Sequence, residues 1–356
     1  MIFQPLINLY DRLYLEGKVP EPGFSEEDIG FVVTLDKNGN MVGKPEDLRT
    51  RVNAKVFEFK TSFVPYTNQV NVRSSSAAKV ANFIVDKADY IFGMSGKSEK
   101  KIHHRSFIDL IDEVCGNCAD EGVLAVKRFL QKWSPADSPK LKYWDEMCGP
   151  HGKWVAFRLQ GEHQFIHERQ NVKRLWQEYY DNLKHPSGIS LLDGEVHDLQ
   201  KQFAQFKFGS GASLVSFNER AYESYNKKGA QNAPLSVEAE FKSSAALKFL
   251  FRNRNQRLRI GDATTVFWTN RESPMENLFG QIINPSYEND EQIVAVQKFL
   301  ENARDGTMPN AIGASVQFYI LGLALNKARL ALRFWYSCTV EELVLRIQDH
   351  FENVEM

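Results

Sequence analysis

The chain has 356 residues, of which 43% are hydrophobic and 25% are charged, and its formal net charge is −1. These values are average for globular proteins and argue against disordered, collagen-like and membrane-embedded classes. Because hydrophobic cores tend to divide beyond roughly 250–300 residues, the length predicts one large subdivided body or two domains.

The first residues give no sign of export. The segment 1–18 has no basic start and reaches Asp11 and Arg12 before any long apolar run, so we expect no secretory signal and a cytoplasmic protein. The uncharged stretch 311–326 contains polar residues and is shorter than the ~18–20 apolar residues of a spanning helix. It is predicted to be a buried strand, and no membrane partner is expected.

The near-neutral total hides an uneven distribution of charge. Residues 201–260 carry a net charge of +7, and 241–260 contain six basic residues and no acid, whereas the rest of the chain carries −8. A second basic run, 73–105, has a net charge of +4. Clustered Lys and Arg are what a phosphate-binding surface requires, although a solvated helix face has the same composition.

The first part of the chain is predicted to form both strands and helices. In chain order these are a hairpin over 29–43 with its turn at Asn38-Gly39, a strand over 56–63, and helices over 82–92 and 106–133, the last interrupted near Gly122. Pro and Gly residues between 135 and 152 then indicate a boundary. We therefore expect an N-terminal α+β subdomain over 1–150.

The second part shows the same mixture. In chain order the pattern predicts a strand over 154–159, a helix over 169–183, a strand over 213–217, a helix from 218, a helix over 234–253, a strand over 257–268, a helix over 291–303, and paired strands over 315–325 and 328–336. Thr339 and Glu342 form a capping box for a last helix. We expect a second α+β subdomain over 151–356, or one continuous body.

The fold class that these elements predict is α+β, because strands and helices do not alternate strictly enough for a doubly wound α/β sheet. We expect an irregular mixed body with short antiparallel sheets and several helices.

The sequence lacks the common motifs of hydrolases and of nucleotide-binding enzymes. The sequence has no G-x-S-x-G, no Walker A and no complete G-x-G-x-x-G motif. Glu58-x-Lys60 and Glu240-x-Lys242 match half of a metal-dependent nuclease motif, but neither has an evident upstream Asp. Nucleotide hydrolysis and metal-dependent cleavage therefore have little support, and we expect no cofactor.

Two pairs of residues have the spacing of zinc ligands. Cys115-Gly-Asn-Cys118 and Cys148-Gly-Pro-His151 match the two knuckles of a tetrahedral structural site. The alternative is that the cysteines are free thiols, because Cys115 falls on a helical pattern where a buried thiol is ordinary.

The segment 210–234, SGASLVSFNERAYESYNKKGAQNAP, concentrates polar side chains directly after an apolar strand. It resembles the signature of the large subunit of the type I-C (Dvulg subtype) CRISPR interference complex, Cascade. The matching residues are Ser216-Phe217-Asn218, Tyr222-Glu223-Ser224-Tyr225 and Asn232-Ala233-Pro234. Five further blocks resemble the same family in the same order, at 6–13, 82–93, 166–169, 261–268 and 319–335.

The resemblance implies a non-catalytic subunit of an RNA-guided DNA surveillance complex. In such complexes guide RNA reads the sequence, while the protein recognises the protospacer-adjacent motif in duplex DNA and helps to open it. The implied partners are double-stranded target DNA, the guide RNA complex, the Cascade backbone and handle-binding subunits, the small subunit and the helicase-nuclease effector, in a prokaryotic cytoplasm.

The chain also departs from the family pattern. Asn226 stands where the family usually has Gly, and Ala324-Leu325 replaces an expected Ser-Pro. Family members continue into a C-terminal helical bundle, so the resemblance implies an N-terminal portion that lacks this bundle. The alternative function is therefore a structural, interaction or regulatory truncation that does not read the target.

The candidate DNA-binding residues fall into three groups. For motif recognition or strand separation they are Asn68, Gln69, Asn71, Arg73 and Lys79 in one polar stretch, and Asn218, Tyr225, Lys227, Lys228, Gln231 and Asn232 in the signature. For phosphate binding, to either the displaced strand or the handle of the guide, they are Lys248, Arg252, Arg254, Arg257 and Arg259. The alternatives are a solvated loop for the first group, an N-cap for Asn218 and a buried ring for Tyr225.

Overall fold

The computed structural model describes residues 2–53, 56–66, 80–116, 118–206, 211–217, 219–283, 315–327 and 329–354, with single positions at 294, 298 and 301. The chain forms two compact units. The inserted unit is Pro20–Lys184, and the terminal unit combines Met1–Val19 with His185–Met356. Residue 150, where the sequence suggests a boundary, falls inside the inserted unit.

Helices and strands are interspersed along the described residues. The helices are α1 (Phe3–Leu15), α2 (Ala88–Ile91), α3 (Lys101–Cys115), α4 (Glu121–Lys132), α5 (Trp144–Cys148), α6 (Gln170–Asp181), α7 (Val237–Arg252), α8 (Met275–Ile283) and α9 (Val340–Val354). The strands are β1 (Phe24–Leu35), β2 (Glu46–Asp47), β3 (Thr50–Arg51), β4 (Phe57–Glu58), β5 (Lys60–Pro65), β6 (Met94–Ser95), β7 (Ser98–Glu99), β8 (Trp154–Leu159), β9 (Ser187–Ile189), β10 (Val196–Asp198), β11 (Gln205–Phe206), β12 (Ala212–Ser213), β13 (Arg257–Ile260), β14 (Ala263–Thr269), β15 (Gln317–Asn326) and β16 (Arg329–Thr339). This content confirms the predicted irregular α+β class.

The inserted unit is built around β1, which is buried on both of its faces. The strand pairs antiparallel with β5 over its first half, and with β2 and the parallel β8 over its second half. Phe31, Val33 and Leu35 join a core that also contains residues of α3, α4 and α6, while Val32 joins a second cluster. A strand covered on both faces is typically apolar, and the stretch Ile29–Val33 of β1 has no polar side chain.

The turn predicted at Asn38-Gly39 is present, but the strand predicted to follow it is not. Gly39 has φ +78°, and a Cβ on it would lie 2.5 Å from the backbone nitrogen of Phe129. Beyond the turn the chain pairs with β1 at a single bridge between Leu35 and Met41, and again only at the two residues of β2. Lys132 of α4 donates to Asn38 O and Asn40 Oδ1, so the helix holds the loop in addition to the backbone bonds within the turn.

The helix predicted over 82–92 is mostly wrong, since only α2 is helical there. The carboxylate of Asp86 is buried and accepts the backbone N–H of Asn82 at 2.8 Å. Asp86 also bridges to Val155 of β8, and Ile84 has φ +63°. A local side-chain bond and a strand contact thus override the helical spacing. By contrast, the long helix predicted over 106–133 is present as α3 and α4 with a break between them.

The start of α4 depends on Asp120, whose carboxylate is buried. Its Oδ1 accepts the backbone N–H of Gly122 at 2.8 Å and of Val123 at 3.2 Å. Its Oδ2 accepts Nε of Arg169 at 3.1 Å. One side chain therefore caps a helix and neutralises a cation next to α6.

The terminal unit is built on a six-stranded sheet in the order β11-β12-β16-β15-β14-β13. Successive residues of β14 point to opposite faces, so Val266 and Trp268 pack with α1 and α7, whereas Phe267 packs with α8 and α9. The paired strands predicted at the end of the chain are confirmed as β15 and β16. The capping box is confirmed as well, because Thr339 Oγ1 accepts from Glu342 N at 3.1 Å and Glu342 Oε2 accepts from Thr339 N at 2.9 Å.

Some predicted elements of this unit differ from the structure. The single strand over 257–268 is two strands, β13 and β14, because Gly261 with φ +60° turns the chain. The strand over 213–217 is reduced to the two residues of β12. The helix predicted over 291–303 lies outside the described residues, apart from helical positions at 294, 298 and 301. Within the described ranges no helix is long and apolar enough to cross a membrane.

Helix α7 begins after the capping side chain of Ser236 and carries a buried carboxylate at Glu240. Glu240 Oε1 accepts the backbone N–H of Ala204 at 2.7 Å and the hydroxyl of Ser244 at 2.8 Å. Burial raises the pKa of Glu240, and these hydrogen bonds offset only part of that effect. The carboxylate therefore ties the segment before β11 to α7.

We predict that Asp120→Ala lowers the free energy of unfolding by about 2–4 kcal/mol, because the variant loses a cap and leaves Arg169 without one partner. Chemical denaturation of both proteins measures the change. The control is Glu121→Ala, on the neighbouring exposed residue that pairs with Lys37 at 3.0 Å. We expect this variant to lie within about 0.5 kcal/mol of the parent. Equal effects of the two substitutions would contradict the assignment.

We predict that Glu240→Gln removes a pH dependence of stability. Because the folded-state pKa of Glu240 is raised above its usual 4.5, the folded protein binds more protons than the unfolded chain just above that pH. Stability from this group therefore falls as pH rises from 4.5 to the folded-state pKa, and the neutral glutamine does not titrate. Denaturation of both proteins at pH values from 4.5 to 8 measures the difference, and a difference that stays constant with pH would refute the prediction.

Candidate nucleic-acid interface

The structure describes only some of the candidate residues. Asn68, Gln69, Asn71, Arg73, Lys79 and Asn218 lie outside the described residues, so their roles stay predictions. The others all belong to the terminal unit, where they occupy one loop and one corner of the sheet.

The loop over 219–233, here called the signature loop, is organised by the side chain of Asn232. Its Oδ1 accepts the backbone N–H of Ser224 at 3.0 Å. Its Nδ2 donates to the carbonyls of Lys227 at 2.9 Å and Gly229 at 3.1 Å. The amide predicted to contact DNA therefore makes three bonds within its own loop.

Gln231 is also used inside the signature loop, since its Oε1 accepts the backbone N–H of Lys228 at 2.9 Å. Lys227 and Lys228 are exposed. The structure thus separates two kinds of predicted site residue: amides that hold the loop, and lysines that it presents to solvent.

Tyr225 lies at the tip of the signature loop and is 95% exposed. The expectation that its ring is buried does not hold. Tyr225 has φ +52° and Asn226 has φ +59°, so two successive residues with side chains adopt the left-handed conformation. Asn adopts this conformation readily, whereas it costs of order 1 kcal/mol at Tyr225, and such strain concentrates at binding sites.

Tyr222 connects the signature loop to the sheet. The guanidinium of Arg329 lies 4.3 Å from the centre of the Tyr222 ring, within the range of a cation–π contact. Arg329 begins β16 and pairs with Ser213 of β12. The signature loop therefore lies beside the turn that joins β15 to β16.

That turn is at the same end of the sheet as the turn joining β13 to β14. The register pairs Thr264 with Leu323 and Asn326 with Arg329, which brings Gly261-Asp262 and Asn326-Lys327 to one end. We call this the hairpin end of the sheet. Its cations are Arg259, Lys327, Arg329 and Arg333, of which Arg333 pairs with Asp262.

Sequence reasoning missed Lys327, Arg329 and Arg333, because they lie far along the chain from the basic block at 201–260. The available signal was the segment 326–333, NKARLALR, with three cations and no acid. Only the pairing of β16 with β12 and β15 brings these residues next to the signature loop.

Four of the five predicted phosphate-binding residues form a group here called the arginine corner, where α7 ends and β13 begins, and Arg259 belongs also to the hairpin end. The corner contains Arg252, Arg254, Arg257 and Arg259, all of which are exposed. Arg257 donates to the carbonyl of Phe251 at the end of α7, and Arg259 Nε donates to the carbonyl of Gly261 at 3.3 Å. Lys248 is half-buried, one turn earlier on α7.

The two arginines of β13 lie on one face of the strand, because successive side chains of a strand point to opposite faces. Leu258 packs into the core on the side of α8, so Arg257 and Arg259 lie on the other face of β13. Arg257 has a clear structural role in capping α7, whereas Arg254 extends from a short 3₁₀ turn. A cation at a helix C-terminus is stabilising in its own right.

The predicted zinc ligands do not form a metal site. In the part of the chain that the structure describes, no group of three or more His, Cys, Asp or Glu side chains could hold a metal ion. Cys115 is buried at the end of α3, and His151 packs on the ring of Phe57 with centroids 5.3 Å apart. Burial raises the pKa values of Cys115 and Cys148, which favours neutral thiols.

The nuclease-like pair on α7, Glu240 and Lys242, does not form a shared site either. Glu240 is buried beneath the helix, whereas Lys242 Nζ pairs with Asp11 at 2.9 Å and Glu238 at 2.8 Å. Residues two apart on a helix point to different sides, so this acid and this lysine do not share a site.

The candidate interface is thus a set of exposed cations and aromatic rings on the terminal unit. Residues 6–356 match a family of CRISPR-associated proteins, described as CRISPR-associated protein (Cas_Csd1). The chain therefore belongs to the Cas_Csd1 family. No curated protein sequence matches it.

We predict that Arg257→Ala lowers the free energy of unfolding by about 1 kcal/mol, because the last carbonyls of α7 lose a charged donor. Arg254→Ala serves as the matched control in the same corner and should change stability by less than about 0.5 kcal/mol. Urea denaturation distinguishes them. If both variants are as stable as the parent, Arg257 does not cap the helix.

Proposed function

We propose that this chain is a non-catalytic subunit of a type I-C CRISPR surveillance complex, which recognises the protospacer-adjacent motif and helps to open target DNA. The observation that carries the proposal is the signature loop. It presents Tyr225, Lys227 and Lys228 to solvent while Asn232 holds its backbone. Membership of a CRISPR-associated family supplies the context.

The physical demands on such a subunit match these groups. Cations bind phosphates without regard to sequence and set the position of the duplex. Arg254 and Arg259 of the arginine corner, and Lys327 of the hairpin end, are suited to this task. An exposed aromatic ring can then stabilise a base that has lost its pairing partner.

Base reading is assigned to the polar stretch 67–79, whose Asn68, Gln69, Asn71 and Arg73 carry the amide and guanidinium groups that meet base edges. The role is proposed from the sequence. Since Asn232 and Gln231 make bonds within their own loop, the amides of the signature loop are less suited to direct reading.

The proposed partners are the guide RNA complex with its backbone and handle-binding subunits, the small subunit, the helicase-nuclease effector and duplex target DNA, in the cytoplasm of a prokaryote. The subunit itself performs no chemistry in this proposal. Cleavage of the target belongs to the effector.

A structural role without target reading is the second candidate, and the amides of Gln231 and Asn232, which bond within their own loop, favour it. In that case the chain joins the complex but gives no preference among flanking sequences. A binding selection over randomised flanking sequences, made with the reconstituted complex, separates the two. Enrichment of a short motif supports reading, and a flat profile supports the structural role.

We predict that Arg73→Ala combined with Lys79→Ala weakens target binding by the assembled complex and flattens its salt dependence. For two lost phosphate contacts, the slope of log K against log salt should become smaller by up to about 1.8. Binding measured at several salt concentrations gives both quantities.

The matched control for this prediction is Lys37→Ala combined with Lys140→Ala. These lysines are exposed on the inserted unit and pair with Glu121 and Asp137. The control complex should retain the parental slope. If Arg73 and Lys79 can be replaced without changing affinity or slope, they do not contact target phosphates.

A further inference from the structure

The tip of the signature loop has the properties of a preformed binding group. An exposed tyrosine on a flexible loop would lose conformational freedom when it binds, which reduces affinity. Here the backbone on both sides of Tyr225 is fixed, because Asn232 bonds to Ser224 before it and to Lys227 and Gly229 after it. The ring is therefore held in solvent, at 95% exposure, before any partner arrives.

The strain at the tip points to function as well. A glycine at 225 would adopt the left-handed conformation without cost, yet the sequence places Tyr there. No packing in the loop compensates for this, since the Tyr225 ring is almost fully in water. The conformation is explained if the ring is needed at that position.

Tyr222 offers a second aromatic surface close by in sequence. Its ring is 44% exposed, and the guanidinium of Arg329 lies over it at 4.3 Å. Arg329 in turn starts β16, so this ring is attached to the sheet rather than to the loop alone. An aromatic ring next to a guanidinium is a common platform for a nucleobase.

The surrounding charges indicate an anionic partner. Lys227 and Lys228 follow Tyr225 directly, and Lys327 is exposed at the neighbouring hairpin end. Exposed aromatic rings combined with a cationic surface are typical of proteins that bind single strands. In a duplex the faces of the bases are covered by their neighbours, so only an unpaired base offers a face to Tyr225.

We infer that the signature loop binds single-stranded nucleic acid, with an unpaired base stacked on Tyr225 and a second stacking surface at Tyr222 and Arg329. Asn232 acts as the positioning residue that keeps the loop in its binding conformation. The inference rests on the proposed function in one respect, namely that the bound strand is one strand of the opened target.

The test uses the full chain alone and a labelled oligothymidine containing one 2-aminopurine, whose fluorescence is quenched by stacking. Tyr225→Leu should bind this probe about 5- to 150-fold more weakly, the loss expected for one stacked base. Tyr225→Phe keeps the ring and should retain both affinity and quenching. Equal affinity of Tyr225→Leu and the parent, or equal losses in Tyr225→Leu and Tyr225→Phe, would overturn the inference.

Salt dependence separates stacking from charge. Tyr225→Leu should leave the slope of log K against log salt unchanged, because a base stack releases no counterions. Lys227→Ala with Lys228→Ala should reduce that slope by up to about 1.4 while 2-aminopurine remains quenched in the bound fraction. A slope changed by Tyr225→Leu as much as by the lysine pair would contradict a stacking role.

A double-mutant cycle tests Asn232. If the residue acts through Tyr225, Asn232→Ala weakens binding in the parent but has no further effect in the Tyr225→Leu background. A purely structural role would give the same loss in both backgrounds and would overturn the positioning role, as would no loss in either.

The outcome is separable from that of the proposed function. The probe assay contains no guide and no flanking motif, so a chain that stacks single strands but gives a flat motif selection supports the inference and defeats motif recognition. If the complex selects a motif but Tyr225→Leu binds the probe as tightly as the parent, motif recognition is supported and the stacking inference is overturned.

Discussion

The constraint on which the terminal unit depends is that the central strands of its sheet are apolar on both faces. Val266 and Trp268 of β14 require a cover on one side, and Phe267 requires one on the other. Helices α1 and α7 supply the first cover, and α8 and α9 the second. Because Glu240 is buried in α7 and bonded to Ala204, this helix is also fixed along its length. The positions of everything attached to α7 follow from this packing.

Two candidate binding segments are attached to α7, one at each end. The signature loop leads into its capped start at Ser236, and the arginine corner follows its last turn at Arg252. The loop is further joined to the sheet through Tyr222 and Arg329. A rigid scaffold thus carries exposed rings and cations on short connections, an arrangement that lets a binding surface be both accessible and well positioned.

Sequence patterns predicted the elements that have strong local signals. Strand β8, the α3 and α4 pair, helix α6, the hairpin of β15 and β16, and the box of Thr339 and Glu342 agree with the structure. The predictions failed where one side chain or turn decided the outcome. Where a helix was predicted, the Asp86 carboxylate accepts the backbone N–H of Asn82 and the Asp86 backbone bridges to Val155. Gly261 divides a predicted strand into two. Such competition between local bonds and periodicity cannot be judged from spacing alone.

The sequence by itself determined the α+β class, the family and the chemical character of the candidate site, because apolar periodicity, ordered motifs and clustered cations are all properties of the chain. The tertiary structure decided which of those residues lie together. Strand pairing brings Arg329 and Lys327 beside a loop some 100 residues earlier, and the bonds of Asn232 to Ser224 and Lys227 hold the backbone on both sides of Tyr225. The first outcome depends on contacts between residues that are distant in sequence, and the second on the direction in which an amide side chain points. Neither can be read from residue type or spacing.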